Sequence, residues 1–141
     1  MKKIIYILLP FFLFSCGKLP INGKLDGMWQ LMEITHQDGK IEMPLKVYYS
    51  IQLKLIRFNR VHEGSLHGSK TDYYIGRFEH TGDSLSFYNI RHLKNENMIA
   101  TPEELAPFGL DGSTDRFKIE ELTNSKMILI SAGERLTFRK F

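Results

Sequence analysis

Apolar and polar residues alternate along most of this chain with a period of two, the pattern of strands with one wet and one dry face. The clearest case is Lys46–Phe58. There Val47, Tyr49, Ile51, Leu53 and Leu55 alternate with Lys46, Tyr48, Ser50, Gln52 and Lys54. The pattern predicts a first strand over Gly27–His36, a second over Lys46–Phe58, a turn at Asn59-Arg60 and a weaker third strand over Val61–His67. Further strands are predicted over Tyr73–His80, Ser84–Arg91, Arg116–Leu122, Lys126–Ser131 and Glu134–Phe141. Thr81-Gly82-Asp83, Thr123-Asn124-Ser125 and Ala132-Gly133 are short links of the kind that make hairpins.

Leu93–Asp115 interrupts the alternation. Within it, Thr101 is a natural N-cap, Pro102 suits the first helical position, and Glu103 and Glu104 suit the first turn. Pro107 and Gly109 stop that helix after one to two turns. This connection is the one long enough to act as a lid or a contact surface.

Short links force antiparallel neighbours, because parallel pairs need long crossovers. Eight such strands leave two exposed edges unless they close into a barrel. A two-sheet sandwich is the alternative, but Greek-key connections need longer links than these. The expected fold is therefore all-β: an eight-stranded antiparallel up-and-down barrel, with one short helix between strands five and six.

The N-terminus reads differently. Lys2 and Lys3 precede an apolar run, Ile4–Phe14, broken only by Pro10. Eleven helical residues span about 16 Å, too little for a bilayer core of about 30 Å. The length suits the apolar part of a signal peptide. Without residues 1–15 the net charge falls from +3 to +1. This weakens any argument for nucleic acid, which needs a clustered basic surface. Cys16 is the sole cysteine, so no disulfide forms within the chain.

Leu13-Phe14-Ser15-Cys16-Gly17 resembles the lipobox of bacterial lipoproteins, although that pattern prefers a small residue where Phe14 stands. The resemblance implies cleavage before Cys16, lipidation of its thiol and acylation of the new amine. Two or three acyl chains on one residue make attachment lasting, where one alone holds marginally. The domains expected are a signal peptide over 1–15, an anchor and tether over 16–24, and a β-barrel over 25–141. Localisation follows as the cell envelope, anchored to a bacterial membrane, the outer membrane being preferred.

Leu25-Asp26-Gly27-Met28-Trp29-Gln30-Leu31 resembles the start of strand one in lipocalins and other calycins, where the Trp plugs the closed end of the barrel. Phe117–Leu122, Met127–Leu129 and Leu136–Lys140 are similar to the ending of lipocalin-like lipoproteins of Bacteroidetes-type bacteria. The resemblance implies a structural plug at Trp29 and a last-strand arginine packed across it, for which Arg135 and Arg139 are the candidates.

Catalytic and metal motifs are weak. His62 and His67 flank Glu63, but residues five apart on a strand face opposite sides. They read as solvated loop histidines. Gly64–Ser69 lacks the lysine and the helix of a phosphate loop and reads as a hairpin tip. Asp111, Asp115, Glu120 and Glu121 offer no paired carboxylates for acid–base work. No enzyme, cofactor or metal is expected. Tyr49, Phe78, Phe87 and Phe117 come from four different strands and share the predicted dry face. They are the candidate ligand-binding residues of a mostly apolar pocket, or equally the filling of a solid core. The expected function is a lipid-anchored, monomeric envelope protein binding a small, partly apolar ligand in its barrel. The alternative is a solid barrel whose end loops bind a protein or glycan.

Overall fold

The computed structural model describes residues 21–62, 64, 70–112 and 114–141. Cys16, the signal segment, most of the tether, His67 and most of the Gly64–Ser69 tip lie outside the described residues.

Among the described residues ten strands form: β1 (Gly27–His36), β2 (Ile41–Glu42), β3 (Val47–Gln52), β4 (Leu55–Val61), β5 (Thr71–Thr81), β6 (Ser84–His92), β7 (Asn95–Ile99), β8 (Asp115–Leu122), β9 (Lys126–Ile130) and β10 (Glu134–Lys140). Eight of them close a ring in the order β1-β3-β4-β5-β6-β8-β9-β10, with β10 returning to β1. Every pairing is antiparallel; Trp29 faces Lys140 and Ile34 faces Leu136 across the closing seam. β2 pairs with the upper half of β1, and β7 with the end of β6. The α-helix α1 (Pro102–Leu105) runs into a 3-10 turn over Ala106–Phe108, between the fifth and sixth strands of the ring.

The expected strand over Lys46–Phe58 is two strands, and the turn lies at Leu53-Lys54 instead of Asn59-Arg60. Asn59 and Arg60 sit inside β4, and the separate strand expected over Val61–His67 begins at what is the last residue of β4. The error has a simple cause. In this hairpin Ile51 pairs with Ile56 and Tyr49 with Phe58, so odd positions face inward before the turn and even ones after it. Leu53 and Leu55 continue the odd-numbered rhythm, yet both are exposed. The turn also lacks glycine or asparagine; Leu53 itself takes the left-handed conformation at φ 58°.

Alternation elsewhere is re-phased by bulges. Between Leu31 and Glu33 the β1–β10 register slips, which turns Ile34 inward after Trp29 and Leu31. The core is continuous and mainly aromatic at its centre. Trp29, Tyr49, Phe58, Phe87, Phe108 and Phe138 are all fully buried; β5 adds Tyr74 and Phe78, and aliphatic residues of the other ring strands pack around them.

The lower end, where β1 begins, is closed by short-range parts. Asn22 caps nothing by its side chain in the 3-10 turn Gly23–Leu25, but its amide donates to Asp26 Oδ1 at 2.6 Å and to the Leu53 carbonyl at 2.8 Å. Leu25 is fully buried and its carbonyl accepts from Trp29 Nε1 at 2.9 Å. The cation across Trp29 is Lys140, its Nζ 5.0 Å from the ring centroid, and neither of the expected arginines. Arg139 reaches Gln30 and Arg135 reaches Glu120 on the outer wall. Register decides this, since Lys140 is the residue opposite Trp29 and shares its face. The same contact explains the glycine of Gly27-x-Trp29. A Cβ at Gly27 would meet Lys140 Cε at 2.7 Å, and its φ of +128° suits glycine.

Candidate functional site

The interior set comes together as a packed cluster. Tyr49 on β3, Phe78 on β5, Phe87 on β6 and Phe117 on β8 are all buried. Tyr49 lies at the centre, its ring centroid 4.7 Å from Phe58, 4.7 Å from Phe138 and 5.8 Å from Phe87. Phe117 packs on Phe87 at 5.6 Å. Phe78 stands opposite Phe87 across the β5–β6 pairing and also lines a groove on the outer wall at the lower end. Edge-to-face ring pairs of this kind add about 0.5–1.5 kcal/mol each beyond their burial. Burial pushes the Tyr49 phenol well above its ordinary range, and Asp115 and Glu134 add to the effect. Its hydroxyl therefore stays a donor, and it donates to the Phe108 carbonyl.

That bond ties the barrel wall to a cap. The β7–β8 connection crosses the upper end and buries Leu105, Phe108 and Leu110 over the aromatic cluster. Phe108 lies 6.0 Å from Phe58 and 5.7 Å from Tyr74. Thr101 and Glu104 form a reciprocal capping box that starts α1. Gly109 ends the 3-10 turn at φ 75°; a Cβ there would lie 2.5 Å from Leu136 Cδ2, so the cap rests directly on the core. Asp115 holds the far end, accepting from the Asp111 and Gly112 amides at 3.1 and 3.2 Å.

Three histidines on the upper rim are seated against carboxylates, a role the sequence did not show. His36 bridges Glu134 at 3.0 Å and Glu42 at 3.4 Å, His62 meets Asp72, and His92 meets Glu104 at 3.0 Å. Glu134, Asp72 and Glu104 lie ten or more residues from their histidines and leave no local signal. Burial raises the Glu134 carboxyl; His36 lowers it, while Asp111 and Glu42 raise it further. Among the described residues no group of three or more His, Cys, Asp or Glu is arranged to hold a metal ion.

Beside the cap, an open groove of about 530 Å³ runs between the β2–β3 loop and the end of β4. It is lined by Met43, Pro44, Leu45, Val47, Val61 and Pro107, with Glu42, Arg60 and His62 as its polar groups. Met43 and Leu45 are 74% and 64% exposed, unusual for such side chains and next to exposed Ile41. The sequence reading passed over this segment, because Ile41–Leu45 is too short to show a period.

The profile of the lipocalin-like domain matches residues 11–141. The chain belongs to this lipocalin-like family. A lipocalin-like protein from Bacteroides uniformis is 26% identical, with a TM-score of 0.63, over 84% of this chain and 100% of its own. An uncharacterized protein from Bacteroides eggerthii is 25% identical, with a TM-score of 0.66, over 82% of this chain and 98% of its own. No curated protein matches the chain. The lipocalin-like barrel is associated with ligand binding in general, and proteins of this fold are typically binders and not enzymes.

Proposed function

We propose that this lipocalin-like protein is a lipid-anchored component of the cell envelope that binds a small, partly apolar ligand in the groove beside its cap. The carrying observation is that groove: exposed Met43 and Leu45 facing the Arg60 and His62 side of the rim. Apolar walls with a few polar fixtures are what small-molecule sites share. Arg60 favours a ligand with an acidic or strongly polar end. The interior set Tyr49, Phe78, Phe87 and Phe117 is a ligand site only if the cap over Phe108 is displaced, because Tyr49 packs on Phe87, Phe87 on Phe117, and Phe78 is buried opposite Phe87. The anchoring part rests on Lys2, Lys3, Ile4–Phe14 and Cys16.

The test is a titration with an anionic, apolar fluorescent probe, using protein that unfolds cooperatively, since such probes also bind molten states. Saturable 1:1 binding weakened by Leu45→Ser and unchanged in Phe87→Leu supports the groove. The reverse pattern moves the ligand into the barrel. Absence of saturable binding favours the competing reading, in which Ile41, Met43 and Leu45 contact a protein or glycan partner. For the anchor, Cys16→Ser should abolish palmitate labelling and release the protein from membranes.

A further inference from the structure

We infer that the lower end of the barrel is a lipid-docking face, with the tip of the β3–β4 hairpin seated in the membrane surface; this rests on the anchoring reading of Cys16. Four residues separate Cys16 from Ile21, where the described chain begins. Fully extended, that link reaches about 18 Å at ~3.3–3.6 Å per residue. Ile21 is therefore held close to the acyl chains. It lies at the lower end, on a groove it shares with Leu53 and Lys54. Asn22 is fixed there through Asp26 and the Leu53 carbonyl, which sets the start of the described chain beside the hairpin tip.

That tip has an apolar residue where the fold calls for another kind. Leu53 occupies a left-handed turn position, φ 58°, ordinarily given to glycine or asparagine. Its side chain is 49% exposed, and Ile21 beside it is 72% exposed. Neither side chain is accounted for by the core. Both are accounted for by contact with acyl chains just below the headgroups. Lys54 next to Leu53, and Lys24 two residues beyond Asn22, are exposed cations placed to meet anionic headgroups. Glu79, which lines the same groove, opposes them, and this makes the apolar tip the main element. Docked in this way, the barrel presents its cap and the Met43–Leu45 groove away from the membrane.

The test uses the processed, acylated protein reconstituted into vesicles of phosphatidylethanolamine and phosphatidylglycerol. Once Cys16 is acylated, an added cysteine is the only free thiol. An environment-sensitive fluorophore is placed at Leu53→Cys, at Lys54→Cys, which leaves the left-handed position untouched, or at Met43→Cys on the opposite end. Acyl-chain-borne quenchers should extinguish much of the emission at positions 53 and 54 and little at 43. Equal quenching at both ends, or none at 53 and 54, overturns docking. Palmitate incorporation in the same samples separates the two failures. Incorporation with equal quenching sinks docking alone, whereas no incorporation sinks the anchoring reading and docking with it.

Discussion

At its lower end the barrel is closed by Leu25, Trp29 and the stem of Lys140, all carried on strands or on the turn that leads into them. At its upper end it is closed by Leu105, Phe108 and Leu110, carried on a connection that belongs to no strand. The lower plug is held by strand register, so it moves only if the β1–β10 seam opens. The upper cap is held by three apolar anchors, one capping box, the Tyr49 hydroxyl and the Asp115 carboxylate. Segments with little regular structure open locally at lower cost than strands. The comparison teaches where this fold can vary without unfolding: at the rim that bears the cap, the carboxylate-paired histidines His36, His62 and His92, and the groove.

The largest expected effect lies at the plug. Trp29→Ala should cost about 3–5 kcal/mol through lost burial and a cavity, read by urea unfolding of a chain beginning after Lys18. A loss near that of a surface substitution would mean that the lower end is not closed by this residue.

Tyr49→Phe removes the donor to the Phe108 carbonyl and should cost about 1–3 kcal/mol. Its effect should fall unevenly: faster hydrogen exchange at the Leu105 and Leu110 amides, with the Trp29 indole still protected. Uniformly faster exchange would make the two ends one cooperative unit. Thr101→Ala should cost about 1 kcal/mol and loosen α1 alone.

The smallest effect depends on pH. Burial raises the Asp115 carboxyl above its ordinary value of 3.8, although two backbone amides pull it down. A raised carboxyl means that the folded state holds its proton more tightly than the unfolded one. Its contribution is fully present below the unfolded value and is lost as pH rises through the folded one. The Tm of wild type relative to Asp115→Asn should therefore rise when the pH is lowered from neutral to below 3.8. A relative Tm that falls instead would give the opposite sign to the burial effect at this end of the cap.

Most of the barrel was legible because its strands have one dry face. The strands from Tyr73 to Arg91 and from Arg116 onward, the helix start at Thr101 and the burial of Trp29 all follow from period and turn chemistry. β2 was missed because it is two residues long, and β7 because all five of its residues are exposed and show no alternation. The β3–β4 turn was misplaced because Leu53 and Leu55 kept an apolar rhythm through it. The candidate site was less legible. Lys140 over Trp29, His92 on Glu104 and Met43 beside Arg60 are products of register and loop placement. No spacing along the chain encodes them.

The central claim is that the barrel interior is occupied by its own side chains and that binding belongs to the rim. It is tested most directly by mapping chemical-shift changes while the anionic apolar probe is titrated into isotope-labelled protein. The account predicts saturable shifts at Met43, Leu45, Val61 and His62, with Tyr49, Phe87 and Phe117 unmoved. Shifts led by Tyr49, Phe87 and Phe117, together with loss of exchange protection at Leu105 and Leu110, would place the ligand inside an opened barrel and contradict it.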